Sequence, residues 1–215
     1  MAIRTNEGGD FDAVSPVYDG LSFIVFGRKL QRAQAVFLKA IPAHADVLIV
    51  GGGTGWLLEQ VLTHCRPNRV VYLDTSARMV ARASRRILRQ AVVGAVDFRV
   101  GDETMLTGND HFDVIITPFV LDLFTEQTLQ AQFIPRLRST LKTGGLWLVT
   151  DFIQTTNWWQ KLLLRSMIRF FRLTAGIKTQ QLSDWQRALA QNGLLRQDQQ
   201  TQVGGMVSTE IWVNL

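Results

Sequence analysis

The sequence predicts a doubly wound α/β fold: a mostly parallel seven-stranded sheet, helices on both faces, and a C-terminal antiparallel hairpin. Three observations carry that expectation. From position 46 to about 151, short apolar runs alternate with segments of helical period. A glycine cluster, Gly51-Gly52-Gly53-Thr54-Gly55, follows the first apolar run and opens a helix. Near the C-terminus, two extended segments flank Gly204-Gly205, as in a hairpin.

In chain order, residues 1–20 read as an arm with turns at Gly8-Gly9 and Ser15-Pro16. Leu21, Ile24, Val25, Leu30, Ala33, Val36, Phe37 and Ile41 keep a helical spacing, giving one or two helices with a break at Gly27 and a stop at Pro42. Val47-Leu48-Ile49-Val50 is wholly apolar, as a strand buried on both faces must be. A helix is expected over 57–64, a strand over 69–73, a helix over 77–90 and a strand over 96–100. A fourth strand covers 112–117, a helix follows around 125–140, and Gly144-Gly145 turns into a fifth strand at 146–150. Helices over 157–173 and 183–192 then precede strands at 195–203 and 206–215. No linker or repeat interrupts the pattern, so one domain is expected over 1–215. It comprises an arm with helices (1–45), a core (46–151), a helical insert (152–194) and the hairpin (195–215).

Composition narrows the function classes. With 215 residues, 47% hydrophobic and 19% charged, the chain can bury a sizeable core, which excludes a disordered protein. Cys65 is the one cysteine, so an internal disulfide is excluded, and a reducing cytoplasm is the expected location. The polar start, Met1-Ala2-Ile3-Arg4-Thr5-Asn6, is unlike a secretory signal, and no apolar stretch is long enough to cross a bilayer. The net charge of +5 and pI near 9.9 admit nucleic-acid or anionic-surface partners. However, Arg78, Arg82, Arg85, Arg86 and Arg89 fall on one expected helix and read as its solvated face, so no DNA partner is expected.

The glycine cluster carries the chemistry. Glycines between a strand and a helix permit a tight turn and close approach of a ligand, and the helix N-terminus offers free N–H groups. A phosphate-cradling loop would end in Gly-Lys-Ser/Thr, which Gly55-Trp56-Leu57 does not supply. A dinucleotide loop of the Gly-x-Gly-x-x-Gly type would need a small residue where Trp56 stands. Gly51, Gly53 and Gly55 instead give Gly-x-Gly-x-Gly, the form suited to a ligand without phosphate. Asp74, at the end of the second strand, is placed to accept from both ribose hydroxyls, or to cap the helix starting near Ser76. Asp102, with Glu103 beside it, follows the third strand and is placed to accept from an adenine amino group, or sits in a surface turn.

On these residues the chain resembles the class I S-adenosylmethionine-dependent methyltransferases, with their Rossmann-like sheet. The resemblance spans about 46–151. It is carried by the 47–55 segment, Leu73-Asp74, Gly101-Asp102, Phe112-Asp113-Val114-Ile115-Ile116 and Leu141-Lys142-Thr143-Gly144-Gly145. The segment Phe11-Asp12-Ala13-Val14-Ser15-Pro16-Val17-Tyr18-Asp19 is similar to the arm of the ubiquinone/menaquinone C-methyltransferase branch. The resemblance implies S-adenosyl-L-methionine as cofactor and S-adenosyl-L-homocysteine as product. It implies cofactor contacts at Tyr18, Gly51, Gly53, Gly55, Asp74, Asp102, Glu103 and Pro118. Where the family often has an acid two residues before the first glycine, this chain has Ile49.

Methyl transfer is an in-line displacement, so the protein mainly orients and dries the site, adding a base only where the acceptor must lose a proton. Asp122, after the fourth strand, and Asp151, at the end of the fifth, are the candidate bases; Asp122 reads equally as a helix N-terminal aspartate. Thr117-Pro118-Phe119-Val120 lacks the Asn/Asp-Pro-Pro-aromatic pattern of adenine N-methylation. His44, His64 and His111 fall away from the substrate side. The 157–173 segment pairs Trp158, Trp159, Phe170 and Phe171 with a basic stripe of Lys161, Arg165, Arg169 and Arg172. It reads as a helix on the sheet edge or a second subunit, as a lid with Trp158 and Trp159 facing an apolar substrate, or as a membrane-surface helix. The expected function is methyl transfer to a small apolar or aromatic acceptor. Its rivals are RNA or protein methylation, and a non-catalytic cofactor-binding or membrane-surface role. A homodimer and peripheral membrane contact through 157–173 are the further partners considered.

Overall fold

The structure, a computed structural model, describes residues 28–90, 94–155, 157, 158, 160, 162, 164 and 182–215. The expected arm with Tyr18, the N-terminal part of the first helical segment, Trp159, and the 165–173 part of the insert lie outside the described residues.

The sheet has seven strands in the order β3-β2-β1-β4-β5-β7-β6. These are β1 (Asp46–Val50), β2 (Arg69–Asp74), β3 (Val96–Val100), β4 (Phe112–Pro118), β5 (Leu141–Phe152), β6 (Leu194–Gln202) and β7 (Val207–Asn214). β1 pairs in parallel with β2 and β4, β2 with β3, and β4 with β5, whereas β7 runs antiparallel to both β5 and β6. The order reverses between β1 and β4, so the carboxyl ends of these strands flank the crevice where open α/β sheets collect ligands.

The helices are α1 (Lys29–Gln34), α2 (Trp56–Cys65), α3 (Ala77–Gln90), a composite α4 and α5 (Trp185–Gln191). In α4, Glu126–Thr128 leads into a π turn, Leu129–Phe133, and then Ile134–Arg138. Pro135 at the start of that last segment has no N–H for the regular ladder, which accounts for the wider turn before it. α3 buries Met79, Val80, Ala83 and Ile87 and turns its arginines outward, Arg86 pairing with Glu59 of α2. The period of 3.6 in the sequence dictates that division.

Alternation along the strands makes two cores. Val47, Ile49, Val70, Tyr72, Val114 and Ile116 face α2 and α3; Leu48, Val50, Leu73, Ile115, Trp147, Val149 and Trp212 face α4 and α5. A third apolar cluster joins Ala33 of α1 to Phe152, Leu164, Met206 and Val207, with Phe119, Leu182 and Val203 at its margin. It sits at the carboxyl end of β5.

Two boundaries differ from the sequence expectation. β5 starts at Leu141, ahead of Gly144-Gly145, because the strand bulges there: Phe112 pairs with Leu141 but Val114 with Leu146, and Gly144 takes a φ of +75°. After α1 the chain leaves the helix and makes a 3-10 turn, Leu38–Ala40, which tucks Leu38 and Ile41 into the core beside α2.

Candidate active site

The glycine loop is built by positive φ angles at Gly51 (+69°), Gly53 (+63°) and Gly55 (+81°). The neighbours of the three glycines differ. A Cβ on Gly51 would fall 2.4 Å from Val120 Cγ2, and one on Gly55 2.7 Å from Ala83 Cα and Cβ. At those two positions internal packing leaves no room for a side chain. A Cβ on Gly53 would meet no atom of the described residues within 4 Å. Gly53 therefore presents bare backbone to open space at the sheet's switch point.

Asp74 ties the loop down. It is only 8% exposed; its Oδ2 accepts from Gly53 N at 3.1 Å and its Oδ1 from Ser76 N at 2.9 Å. Ser76 Oγ in turn accepts from Met79 N, so the cap of α3 expected of Asp74 is divided between the two residues. Tyr72, which sequence reasoning missed, supports the loop from below: its hydroxyl donates to Gly53 O at 2.7 Å and its ring occupies the space a Cβ on Gly52 would need. Burial, and secondarily the Asp74 charge, push the Tyr72 hydroxyl well up, so it stays a donor. The available signal was spacing alone: in an extended strand, Tyr72 shares a face with Asp74.

Of the pair after β3, Asp102 is exposed and its Oδ1 accepts from Thr104 N and Oγ1, capping a 3-10 turn, Glu103–Met105. Glu103 is half-buried, and burial raises its carboxyl above the ordinary range, with Asp102 adding to the rise and Arg136 opposing it. Ile49 is fully buried among the α2-side core residues, so that position offers a ligand no charge.

At the ends of β4 and β5, Pro118 is buried opposite Thr150. Phe119 adopts a φ of +57° and donates its N–H to Thr150 O; its ring lies 5.3 Å from that of Phe152. Such a backbone is costly for a bulky residue and is found where surrounding structure enforces it. Asp151 is 0% exposed. Its Oδ2 accepts from Val120 N (3.1 Å), Leu121 N (2.8 Å) and Asp122 N (3.3 Å), and its Oδ1 from Phe152 N (2.7 Å). Asp122 lies in the first turn of a 3-10 helix, Leu121–Leu123, and donates its N–H to Asp151 Oδ2, while its Oδ1 is buried with no partner among the described residues. Burial lifts Asp122 to about 6 and Asp151 well above the carboxylate range, the Asp122 charge adding to the rise in Asp151.

Of the insert's expected aromatic wall, Trp158 is the one aromatic among the described residues. Gln160 and Leu164, four residues apart, are 2% and 4% exposed, and Gln160 Nε2 donates to Gly204 O in the β6–β7 turn. Trp158 and Leu162, on the other face, are 77% and 62% exposed. Gln160 and Leu164 hold the inward face here and Trp158 the outward one. His44, His64 and His111 are all exposed.

Comparison with known proteins adds the family. A methyltransferase domain model matches residues 47–145, from β1 through the start of β5. The chain carries a methyltransferase domain on the fold of the class I S-adenosylmethionine-dependent methyltransferases. It is 30% identical over 153 residues to a ubiquinone/menaquinone biosynthesis C-methyltransferase of Hydrogenovibrio crunogenus, covering 69% of this chain and 59% of that protein. It is 34% identical over 119 residues to a polyamine aminopropyltransferase of Pyrobaculum neutrophilum, covering 49% of this chain and 40% of that one. The chain thus spans three-fifths or less of either relative's length. Among solved structures it resembles the N-methyltransferase NodS of Bradyrhizobium japonicum in complex with S-adenosyl-L-homocysteine. The TM-score is 0.64 at 16% identity, over 88% of this chain and 87% of that one, a likeness of fold.

Proposed function

We propose that this chain transfers a methyl group from S-adenosylmethionine to a small, apolar or aromatic acceptor. The observation that carries the reading is the bare, open backbone at Gly53 with the Asp74 carboxylate bound to it. A carboxylate at the end of β2, beside bare glycine backbone, is the kind of acceptor that ribose hydroxyls require. The residues present thus fit an adenosine-bearing cofactor. Gly51, Gly53, Gly55 and Asp74 would hold it, Asp102 or Glu103 would meet the adenine, and Tyr18 and Pro118 would border it. When bound, the cofactor supplies an electrophilic methyl group on sulfur.

Phe119, Phe152, Val203 and Met206 support the apolar acceptor: they gather at the carboxyl end of β5, next to the loop that packs on Gly51. An apolar wall there excludes water and orients the acceptor by shape. Trp158, with Trp159 beside it in sequence, is assigned to the mouth of this region. The proposal places the protein in the cytoplasm as one domain across 1–215. Among the described residues, no helix is long and apolar enough to cross a membrane. The basic, aromatic pattern of 157–173 supports peripheral contact with an anionic surface, which liposome co-sedimentation at varied salt tests.

Calorimetry with S-adenosylhomocysteine tests the cofactor assignment. Saturable binding, with NAD much weaker, is expected, and preference for NAD would refute it. Mass spectrometry of products then identifies the group moved. Transfer of an aminopropyl group, the reaction named for the second relative, would overturn methyl transfer while leaving the nucleoside site intact.

A further inference from the structure

The two edges of the sheet are unlike. β6 bulges between Arg196 and Asp198, and its residues from Leu195 to Thr201 are exposed and almost all polar, which protects an open edge from pairing. β3 lacks these devices. It stays in unbroken register with β2 from Val96 to Val100 and holds no lysine or proline. Among the described residues, no strand pairs with its outer side. Val70 N donates to Ala95 O and Gly101 N to Asp74 O, so the ladder turns the backbone of Ala95, Asp97, Arg99 and Gly101 towards β2. The N–H and C=O groups of Val96, Phe98 and Val100 therefore point outward.

This edge is complementary to itself. The strand reads Val96-Asp97-Phe98-Arg99-Val100. An antiparallel copy centred on Phe98 sets Val96 against Val100 and Asp97 against Arg99, each twice. The outward groups suit that register: Val96, Phe98 and Val100 form the hydrogen-bonded pairs, and Asp97 and Arg99 the closer, non-hydrogen-bonded ones. Moving the axis by one residue would oppose Asp97 to Asp97 or Arg99 to Arg99, which is repulsive. Arg99 is already fixed in place by Asp110, at 2.9 and 3.0 Å, and by Asp97 of its own chain, whose side chain remains 50% exposed.

The helix beside the edge supplies a second, independent match. Met79, Val80, Ala83 and Ile87 of α3 are buried, and Arg86 turns to Glu59 of α2. With about 3.6 residues per turn, Ala77, Ala81, Ser84 and Leu88 fall on the flank away from α2, above the free side of β3. Leu88 is 77% exposed there, and the other three are small. Since α3 packs over both β2 and β3, two copies joined at β3 would bring their α3 helices to about 10 Å, the spacing of packed helices.

We propose that β3 is a dimer interface, on which a second copy of this chain adds its own β3 antiparallel about an axis at Phe98, with the two α3 helices packed flank to flank. The sheet becomes continuous across both copies. The axis sends the carboxyl ends of the two sets of parallel strands in opposite directions, so both glycine-loop crevices stay open. The proposal is independent of the methyl-transfer reading, and its readouts involve neither cofactor nor acceptor.

Sedimentation equilibrium of the full chain tests it, together with amide hydrogen exchange by NMR. A concentration-dependent dimer is expected, with the amides of Val96, Phe98 and Val100 slowed in the dimer. Asp97→Lys places a cation opposite Arg99 at two symmetric positions and should raise the dimer Kd roughly tenfold or more. Val100→Pro removes an outward N–H without touching a bond to β2, and should weaken the dimer at least as much. Circular dichroism checks that each variant is folded; if Val100→Pro is not, Asp97→Lys and the milder Asp97→Asn carry the test. A monomer at all concentrations overturns the proposal. So does a dimer whose Kd neither folded variant moves, since its interface then lies elsewhere. Slowed amides at Val96, Phe98 and Val100 in a monomer overturn it too, because another segment of the same chain then covers the edge.

Discussion

Alanine substitutions at Gly53 and Gly55 separate ligand contact from internal packing within one loop. Both residues have left-handed φ, so an alanine at either costs about 1–2 kcal/mol of backbone strain, offset in part by a stiffer unfolded chain. Beyond that the positions differ. The new methyl at 55 would stand 2.7 Å from Ala83 Cα and Cβ, and a helix backbone cannot yield by rotating a side chain. Overpacking of that kind adds about 1–3 kcal/mol, so Gly55→Ala should lose about 2–5 kcal/mol of stability. The methyl at 53 meets no atom of the described residues within 4 Å, so Gly53→Ala should lose only about 1 kcal/mol, the strain alone. Binding should show the reverse emphasis. If the cofactor lies on the bare backbone of Gly53, the same overpacking range corresponds to a Kd raised roughly 10- to 100-fold. Urea denaturation gives the stabilities and calorimetry with S-adenosylhomocysteine the affinities. A Gly53→Ala protein that binds within twofold of wild type would refute the placement of the ligand. Severe unfolding of Gly53→Ala would refute the open geometry.

Other perturbations probe other links. Asp74→Asn keeps the size but turns one acceptor into a donor facing a backbone N–H, Gly53 or Ser76; stability should fall by about 1–3 kcal/mol and S-adenosylhomocysteine binding should weaken, and unchanged affinity would remove Asp74 from the ribose assignment. Tyr72→Phe deletes the hydroxyl under Gly53 O at a cost of about 1 kcal/mol, and should weaken cofactor binding through the loop without altering secondary structure by circular dichroism. Asp122 has a folded pKa raised to about 6, so its contribution is fully present below its unfolded value near 4 and is lost as pH rises through 6. Asp122→Asn should therefore stabilise the fold at pH 7 by up to about 3 kcal/mol and change little at pH 4; destabilisation at pH 7 would contradict the strain assigned to the pair. Asp110 has the opposite sign: Arg99 holds it down to about 2, so its stabilisation is present above pH 4 and is lost as pH falls through 2, and Asp110→Asn should cost about 2 kcal/mol at neutral pH by urea denaturation.

Much of this molecule is written locally. The wholly apolar run at β1 has to be buried on both sides, and the arginine-rich α3 has to turn one face outward, whatever surrounds them. α3 and β3 begin and end where the sequence pattern places them. The glycine loop was legible because its backbone angles require glycine regardless of context, and Asp74 because strand length fixes its place at the sheet's carboxyl end. The hairpin was legible from Gly204-Gly205, both of which have positive φ. Only the tertiary structure decided the rest. Asp151 reaches the N–H groups of the loop after β4 because β4 and β5 are neighbours in the sheet, and adjacency of strands is not encoded in either strand's own pattern. Tyr72 looks like one more core aromatic until its hydroxyl is seen on Gly53 O. Which face of the 157–164 segment is buried depends on the partner it finds, and here the β6–β7 turn receives Gln160 while Trp158 is exposed. Sequence patterns set which residues can be buried; long-range packing chooses among them, since burial energy depends on the partner and the partner lies far away along the chain.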